Sequence, residues 1–331
     1  MKDTSTSIIF SLLLLLWMPL STFGFIVIPS QASSSITPTK RIQRSKSDHS
    51  LHRDMINPVL TAVVASTTIP IKEIVLASFL PPLLGYYKSE YTVSYAYGLA
   101  TSIAASLLLP TTSTTVARYH AAALIFYGCR LDLYLLYRQL FVPRFRKLIE
   151  RVEERANSKG GRISRTPFIL SCGLLYVGLV SPVILTSQLT EVSSKAAQRT
   201  IQLLVSITWF GFILGALGDL QKSWSKAKRG EGHLVRGGIY SVFRHPNYTG
   251  EIIAWTASYL AGFVSALTQP SKRKLVFVFL SFIGVLGIDF VLFRATSGLE
   301  KRQQETYGNV DGYQQWIESS WSGFHLPSKG S

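Results

Sequence analysis

The residues from Arg236 to Glu251, Arg-Gly-Gly-Ile-Tyr-Ser-Val-Phe-Arg-His-Pro-Asn-Tyr-Thr-Gly-Glu, hold the densest mixture of reactive side chains in the chain. Arg244 and His245 stand directly before Pro246, and proline favours the first position of a helix. A helix is therefore predicted to start near Asn247, with unpaired N–H groups and the positive end of its dipole at that start. A helix start flanked by arginine and histidine suits a phosphate or a carboxylate. Tyr248 and Glu251, three residues apart, meet on the first turn. Gly250 between them admits a ligand or a second backbone at close range. The rival reading of the same residues is an interfacial anchor, because basic and aromatic side chains also collect at membrane boundaries.

The elements that must position this run are apolar. The chain has 331 residues, of which 47% are hydrophobic and 16% charged, with 34 Lys+Arg against 18 Asp+Glu and a net charge of +16. That is too apolar for disorder, and sparse charge in an apolar chain indicates an integral membrane protein rather than a nucleic-acid binder. Segments near 93–110, 117–137, 166–187, 201–220, 251–268 and 275–293 have spanning length. A seventh, 59–86, is interrupted by Pro70, Lys72, Glu73 and Pro81-Pro82 and reads as a broken or interfacial helix. The fold class expected is all-α, a polytopic transmembrane helix bundle of six to seven spans. Six spans put the basic loops 138–165 and 221–250 and the C-terminal tail on one side, which the positive-inside rule makes cytosolic, or stromal in a plastid. Arg130 and Asp132 fall inside an apolar span, where ionisable groups line cavities or pair with another helix. Arg130 shares a face with Tyr134 and is the better cavity-lining candidate; Asp132, two residues on, points elsewhere. Cys129 and Cys172 sit in apolar stretches and make no disulfide framework. No metal site is expected.

The N-terminus reads as an address. Residues 7–18 form a short apolar run after Lys2 and before Pro19, with Thr22 and Gly24 suited to a cleavage site, so 1–24 is expected to be a signal peptide; the other reading is an uncleaved first transmembrane helix extended to Ile28. Residues 25–57 are transit-peptide-like or a disordered linker: 25–47 are Ser-rich and basic, with no acid. A signal core followed by such a stretch resembles the bipartite presequences of secondary plastids. The expected location is a plastid or endoplasmic reticulum membrane.

The order of the residues adds a family. Gly238-Ile-Tyr followed by Arg244-His-Pro-Asn247-Tyr248-Thr-Gly250-Glu251 resembles the signature of membrane proteins built on the steroid 5-alpha-reductase C-terminal domain. Asp219-Leu-Gln-Lys222 is similar to that family too. So are Ser297-Gly298-Leu-Glu300-Lys-Arg302, Tyr307-Gly308, Tyr313 and Leu326-Pro327 in the tail and, more weakly, Gly128-Cys-Arg130 with Tyr134 and Arg138. The likeness covers roughly 117–327, although the proline-containing spacer expected between Gly298 and Glu300 is shortened here. The superfamily also contains isoprenylcysteine carboxyl methyltransferases and phospholipid methyltransferases, which share Arg-His-Pro-x-Tyr-x-Gly. On this division, 58–200 is an N-terminal transmembrane region and 201–331 a reductase-like membrane domain.

The resemblance implies a membrane-embedded NADPH-dependent reductase acting on a C=C bond of a lipid such as a sterol, a polyprenoid or an enone. The alternative it implies is an S-adenosylmethionine-dependent lipid or prenyl-cysteine methyltransferase. The cofactor pocket would lie near the C-terminus on the cytosolic or stromal side. Arg244, His245 and Asn247 would contact phosphates or the nicotinamide amide, Lys222 and Arg294 further phosphates, and Asp219 and Glu251 ribose or adenine donors. Arg294 also reads as a snorkelling boundary residue. Tyr248, with Glu251 beside it, is the catalytic candidate, because alkene reduction needs a proton on the carbon next to the one that takes hydride. A cofactor-stacking ring is the other reading of Tyr248. Tyr307, Tyr313 and Trp316 are expected to cap the cofactor or to form an interfacial belt. The expected partners are the bilayer and a hydrophobic small molecule, with no nucleic acid.

Overall fold

A computed structural model describes residues 69–190 and 194–324 of the chain. The leader-like residues 1–57 and residues 59–68 of the 59–86 segment lie outside the described residues. Helices run through Ile71–Phe79 (α1), Tyr95–Leu108 (α2), Thr115–Phe141 (α3), Pro143–Ser158 (α4), Thr166–Ser187 (α5), Lys195–Arg229 (α6), Ile239–Val242 (α7), Pro246–Thr268 (α8), Lys272–Tyr307 (α9) and Tyr313–Ser319 (α10). Among the described residues there is no strand, only a parallel bridge between Phe243 and Trp321. The all-α expectation therefore holds.

Among the described residues, five helical stretches are long and apolar enough to cross a bilayer: Ser89–Thr111, Arg162–Ser187, Lys195–Arg229, Pro246–Thr268 and Lys272–Tyr307. The protein is an integral membrane protein on that ground. The count differs from the six to seven expected, for two physical reasons. The 117–137 segment is helical throughout as α3, but Arg118, Arg130, Asp132 and Arg138 keep it out of the apolar set. The described part of 59–86 is only the nine residues of α1 and a 3-10 turn over Pro81–Tyr86, because prolines stand at both ends of α1. At 1.5 Å per residue, α6 and α9 are over about 50 Å long, well beyond a ~30 Å hydrocarbon layer. Their ends must project, and those ends carry Lys222, Lys226, Glu300 and Arg302.

Side-chain caps start three of the long helices: Thr114 for α3, Ser194 for α6 and Ser271 for α9 each accept from a backbone N–H three residues on, at 3.3 Å. Helix α8 has no such cap and starts on Pro246, as its sequence predicts. The most extensive helix pair is α6 with α8. Gly211, Gly215 and Gly218 form one face of α6, and Pro246, Asn247, Gly250 and Ala254 of α8 lie on it. A Cβ on Gly211 would strike the Gly250 carbonyl and come within 2.7 Å of the Ala254 nitrogen, so only glycine lets the backbones meet. Helices α5 and α9 touch in the same way through Gly178 and Gly284.

The core carries polar seams. His120 of α3 is fully buried between Thr186 of α5, 3.0 Å from Nδ1, and Ser258 of α8, 2.8 Å from Nε2. Closer to the motif, Tyr127 stacks on Phe212 at 4.4 Å between ring centres, and Tyr97 and Trp255 lie 5.3 Å from it. Helix α4 is amphipathic in the manner of an interfacial helix: Phe145 and Ile149 are buried beside Leu135, while Arg144, Arg146, Lys147 and Arg151 are exposed.

Candidate functional site

The glycine face of α6 fixes where the start of α8 must go, and that contact brings Asp219 and Glu251 together. Arg130, from the inner face of α3, reaches both. Its Nη1 donates to Asp219 Oδ2 at 2.8 Å, and its Nη2 lies 3.7 Å from Glu251 Oε1. All three residues are buried. The Tyr127 hydroxyl donates to Glu251 Oε2 at 2.8 Å, and the Arg130 guanidinium lies 5.1 Å from the Tyr127 ring centre. Tyr127 is three residues before Arg130 and so falls on the same face of α3. Asp132, two residues after Arg130, instead lies against Gly98 of α2.

The triad joins one guanidinium to two carboxylates, so its anionic side is in excess. A buried arginine held by two helices rigidifies their relative position, because breaking such a pair strands a charge out of water. Two of its nitrogens, Nε and Nη2, are buried without a hydrogen-bond partner. Buried donors left over in this way are unusual, and they suit a ligand with acceptor oxygens.

A second polar knot lies at the N-terminal end of α8. Arg244 Nε donates to Glu300 Oε1 at 3.0 Å, and His245 Nε2 donates to the same oxygen at 2.8 Å. Arg244 Nη1 donates to the Ile317 carbonyl at 2.7 Å, and its backbone N–H to the Trp321 carbonyl at 3.0 Å. Burial holds the His245 imidazole below its ordinary value; the Glu300 carboxylate works against this, and Lys222 and Arg244 add to it. His245 is thus neutral near pH 7, with its proton on Nε2. The tail closes over the knot: Trp316 Nε1 donates to the Tyr240 carbonyl at 2.7 Å, and the Tyr240 hydroxyl donates to the Gly218 carbonyl at 3.1 Å. Tyr313 and Trp316 are buried with Leu234, so they form a small core that holds the tail rather than a belt.

The expected site residues divide accordingly. Asp219 and Glu251 are brought together by Arg130. Tyr248 is partly buried a turn before Glu251, and the charges that reach its hydroxyl are Glu251, Asp219, Arg138 and Arg302. Lys222 is partly buried a turn beyond Asp219. Asn247 is packed by its backbone on Gly215 and Gly218. Arg244 and His245 are committed to Glu300, which leaves fewer of their donors for phosphate than the sequence suggests. Arg294 is not brought to the others: it is exposed, its guanidinium 6.0 Å from the Phe290 ring, as the snorkelling alternative has it. Arg130 pairs with another helix, the second of the two readings of an ionisable group in a span. Tyr127 was not picked out from the sequence; the signal was its spacing from Arg130.

The fold and this site define a polytopic membrane protein with a buried ionic triad that joins α3, α6 and α8. A family model described as "Protein of unknown function (DUF1295)" matches residues 86–320. The chain belongs to that family, within the steroid 5-alpha-reductase-like proteins in general. No curated protein and no solved structure matches it.

Proposed function

We propose that the protein is a membrane-embedded NADPH-dependent reductase acting on a C=C bond of a lipid. The observation that carries this reading is the Tyr127–Glu251–Arg130–Asp219 cluster: a carboxylate and a phenol hydrogen-bonded to each other inside the bundle, a turn from Tyr248 and beside aromatic rings. The residues fit a dinucleotide, since Arg130 Nε and Nη2, which make no hydrogen bond, suit acceptor oxygens and the excess carboxylate suits ribose or carboxamide donors. When bound, NADPH supplies the hydride. The chain's own part is to hold, to exclude water and to supply a proton. Glu251 is positioned by Tyr127 and Arg130, and Tyr248 is the proton donor to the carbon next to the one reduced. The apolar walls keep water from the reacting double bond. Helix α3 makes the sixth crossing, since Arg130 turns its charge inward to Asp219 rather than to lipid. The signal-like and transit-peptide-like composition of residues 1–57 supports a plastid or endoplasmic reticulum membrane.

The rival is methyl transfer from S-adenosylmethionine. A thermal melt of the purified protein with NADPH, NADH and S-adenosylmethionine separates the two, because a ligand specific to the native state raises the melting temperature. A rise with NADPH alone is expected, and a rise with S-adenosylmethionine alone overturns the reading.

A further inference from the structure

The C-terminal part of α3, which packs on both α4 and α6, adjoins cations that the ionic triad leaves uncompensated. Lys222 and Lys226 are one turn apart on α6, and the charges that reach both include Arg138 of α3 and Arg144 of α4. The acids in reach are few. Asp219 acts on Lys222 but is already paired with Arg130 at 2.8 Å, and the exposed Glu231 acts on Lys226, whose Nζ also donates to the Glu231 backbone carbonyl at 2.5 Å. Among the described residues, none of the four cations stands within ion-pair distance of a carboxylate. Three of them are partly buried and Arg144 is exposed, so the cluster opens to water at one end.

The cations are also held in place. The Arg138 guanidinium lies 4.2 Å from the Phe145 ring centre and 5.7 Å from that of Tyr134. The Tyr134 hydroxyl meets Ser223 Oγ at 3.1 Å, which ties α3 to α6 next to Lys222. Four like charges gathered and oriented in this way repel one another, and a multivalent anion relieves that repulsion. Phosphate suits the set: it offers several acceptor oxygens and more than one charge to a planar guanidinium and compact ammonium groups. The cluster adjoins the α8 motif, since Lys222 acts on His245 and Arg138 on Tyr248. Arg144 also lines an open surface groove on α4, with Pro143, Lys147, Glu150, Arg151 and Glu154.

We propose that Arg138, Arg144, Lys222 and Lys226 form a phosphate-binding site at the junction of α3, α4 and α6. Where the phosphate is that of a dinucleotide, the inference rests on the reductase reading, and it moves the phosphate contacts from Arg244 and His245 to this cluster. An anionic lipid headgroup offers the same chemistry.

The test uses the full chain in nanodiscs of phosphatidylcholine, with inorganic pyrophosphate and NADPH as probes, and a parallel set of discs containing phosphatidylglycerol. Binding is read by the shift in melting temperature with ligand concentration. The variants are Arg144→Gln with Lys226→Gln, which removes two cations at accessible positions, and Arg144→Lys, which keeps the charge and controls for folding. Pyrophosphate is expected to bind the parent and the Arg144→Lys protein, and the double variant about tenfold or more weakly. Loss of NADPH binding in parallel makes the nucleotide the source. Loss of phosphatidylglycerol stabilisation with NADPH binding unchanged makes the lipid the source. If the parent binds pyrophosphate but not NADPH, the site stands and the reductase reading fails. If the double variant matches the parent with all three probes, the site is overturned, and NADPH binding by both proteins leaves the reductase reading intact.

Discussion

Removing the Arg130 guanidinium, as in Arg130→Met, leaves Asp219 and Glu251 facing each other with no cation between them. Both carboxylates are buried, and Asp219 loses a 2.8 Å charge-assisted bond that no other residue replaces. Breaking a buried ion pair by deleting one partner costs about 3–5 kcal/mol. At about 2–4 °C per kcal/mol for a chain of this size class, the melting temperature should fall by roughly 6–20 °C. The contribution of Glu251 to that fall is the smaller one, because its contact with Arg130 is 3.7 Å and its other oxygen keeps the Tyr127 hydroxyl. The decisive comparison is the triple variant Arg130→Met, Asp219→Asn, Glu251→Gln. It carries no stranded charge, so it should recover most of the loss even though it lacks every ion pair of the triad. Tryptophan-monitored unfolding in phosphatidylcholine nanodiscs reads all three proteins, since Trp255 lies in the adjoining core. A single variant that melts within about 2 °C of the parent, or a triple variant no better than the single, refutes the reasoning.

Three further outcomes follow from other contacts. Glu300→Gln removes the carboxylate that holds Arg244 and His245; it should cost about 1–3 kcal/mol and expose residues 308–324 to faster limited proteolysis, while an unchanged cleavage rate contradicts the tail clasp. Gly250→Val puts a side chain against the Gly211 carbonyl and within 2.7 Å of the Gly215 nitrogen, so it should cost at least about 1–3 kcal/mol, whereas Gly298→Ala, with nothing within 4 Å, should leave the melt unchanged. His245 has a folded value below its unfolded value of about 6.5, so its share of stability is complete above that pH and is lost as pH falls through the folded value. His245→Gln should flatten the stability-against-pH curve below about pH 6.5, and an unaltered slope contradicts the neutral, buried imidazole.

The helices were legible because apolar runs of spanning length and a proline-led start leave few alternatives; α8 begins at Pro246, where the sequence put it. The number of apolar crossings was less legible. Helical spacing puts Arg130 and Asp132 on different faces, but only the packing of α3 against α6 and α2 shows which partner each charge meets. The pairing of Asp219 with Glu251 across Arg130 depends on the register of α6 on α8, which the spacing of Gly211, Gly215 and Gly218 encodes but does not announce. Arg244 and His245 stand directly before the start of α8, as their order ahead of Pro246 predicts. Their common partner, Glu300, comes from the far end of a long helix, and no local rule in the sequence links the two. Arg294 shows the converse: a basic residue that the sequence assigns to the site, but whose helix turns it outward.

The claim that the protein reduces a lipid double bond is tested most directly by following the hydrogen. The purified protein is supplied with NADPH carrying deuterium at both C4 positions and with the neutral lipids extracted from its native membrane. The account predicts a lipid product that has gained one deuterium from the cofactor and one proton from solvent, in amounts that fall when Tyr248→Phe or Glu251→Gln replaces the parent. No deuterium in any lipid, together with transfer of a labelled methyl group from S-adenosylmethionine, contradicts it.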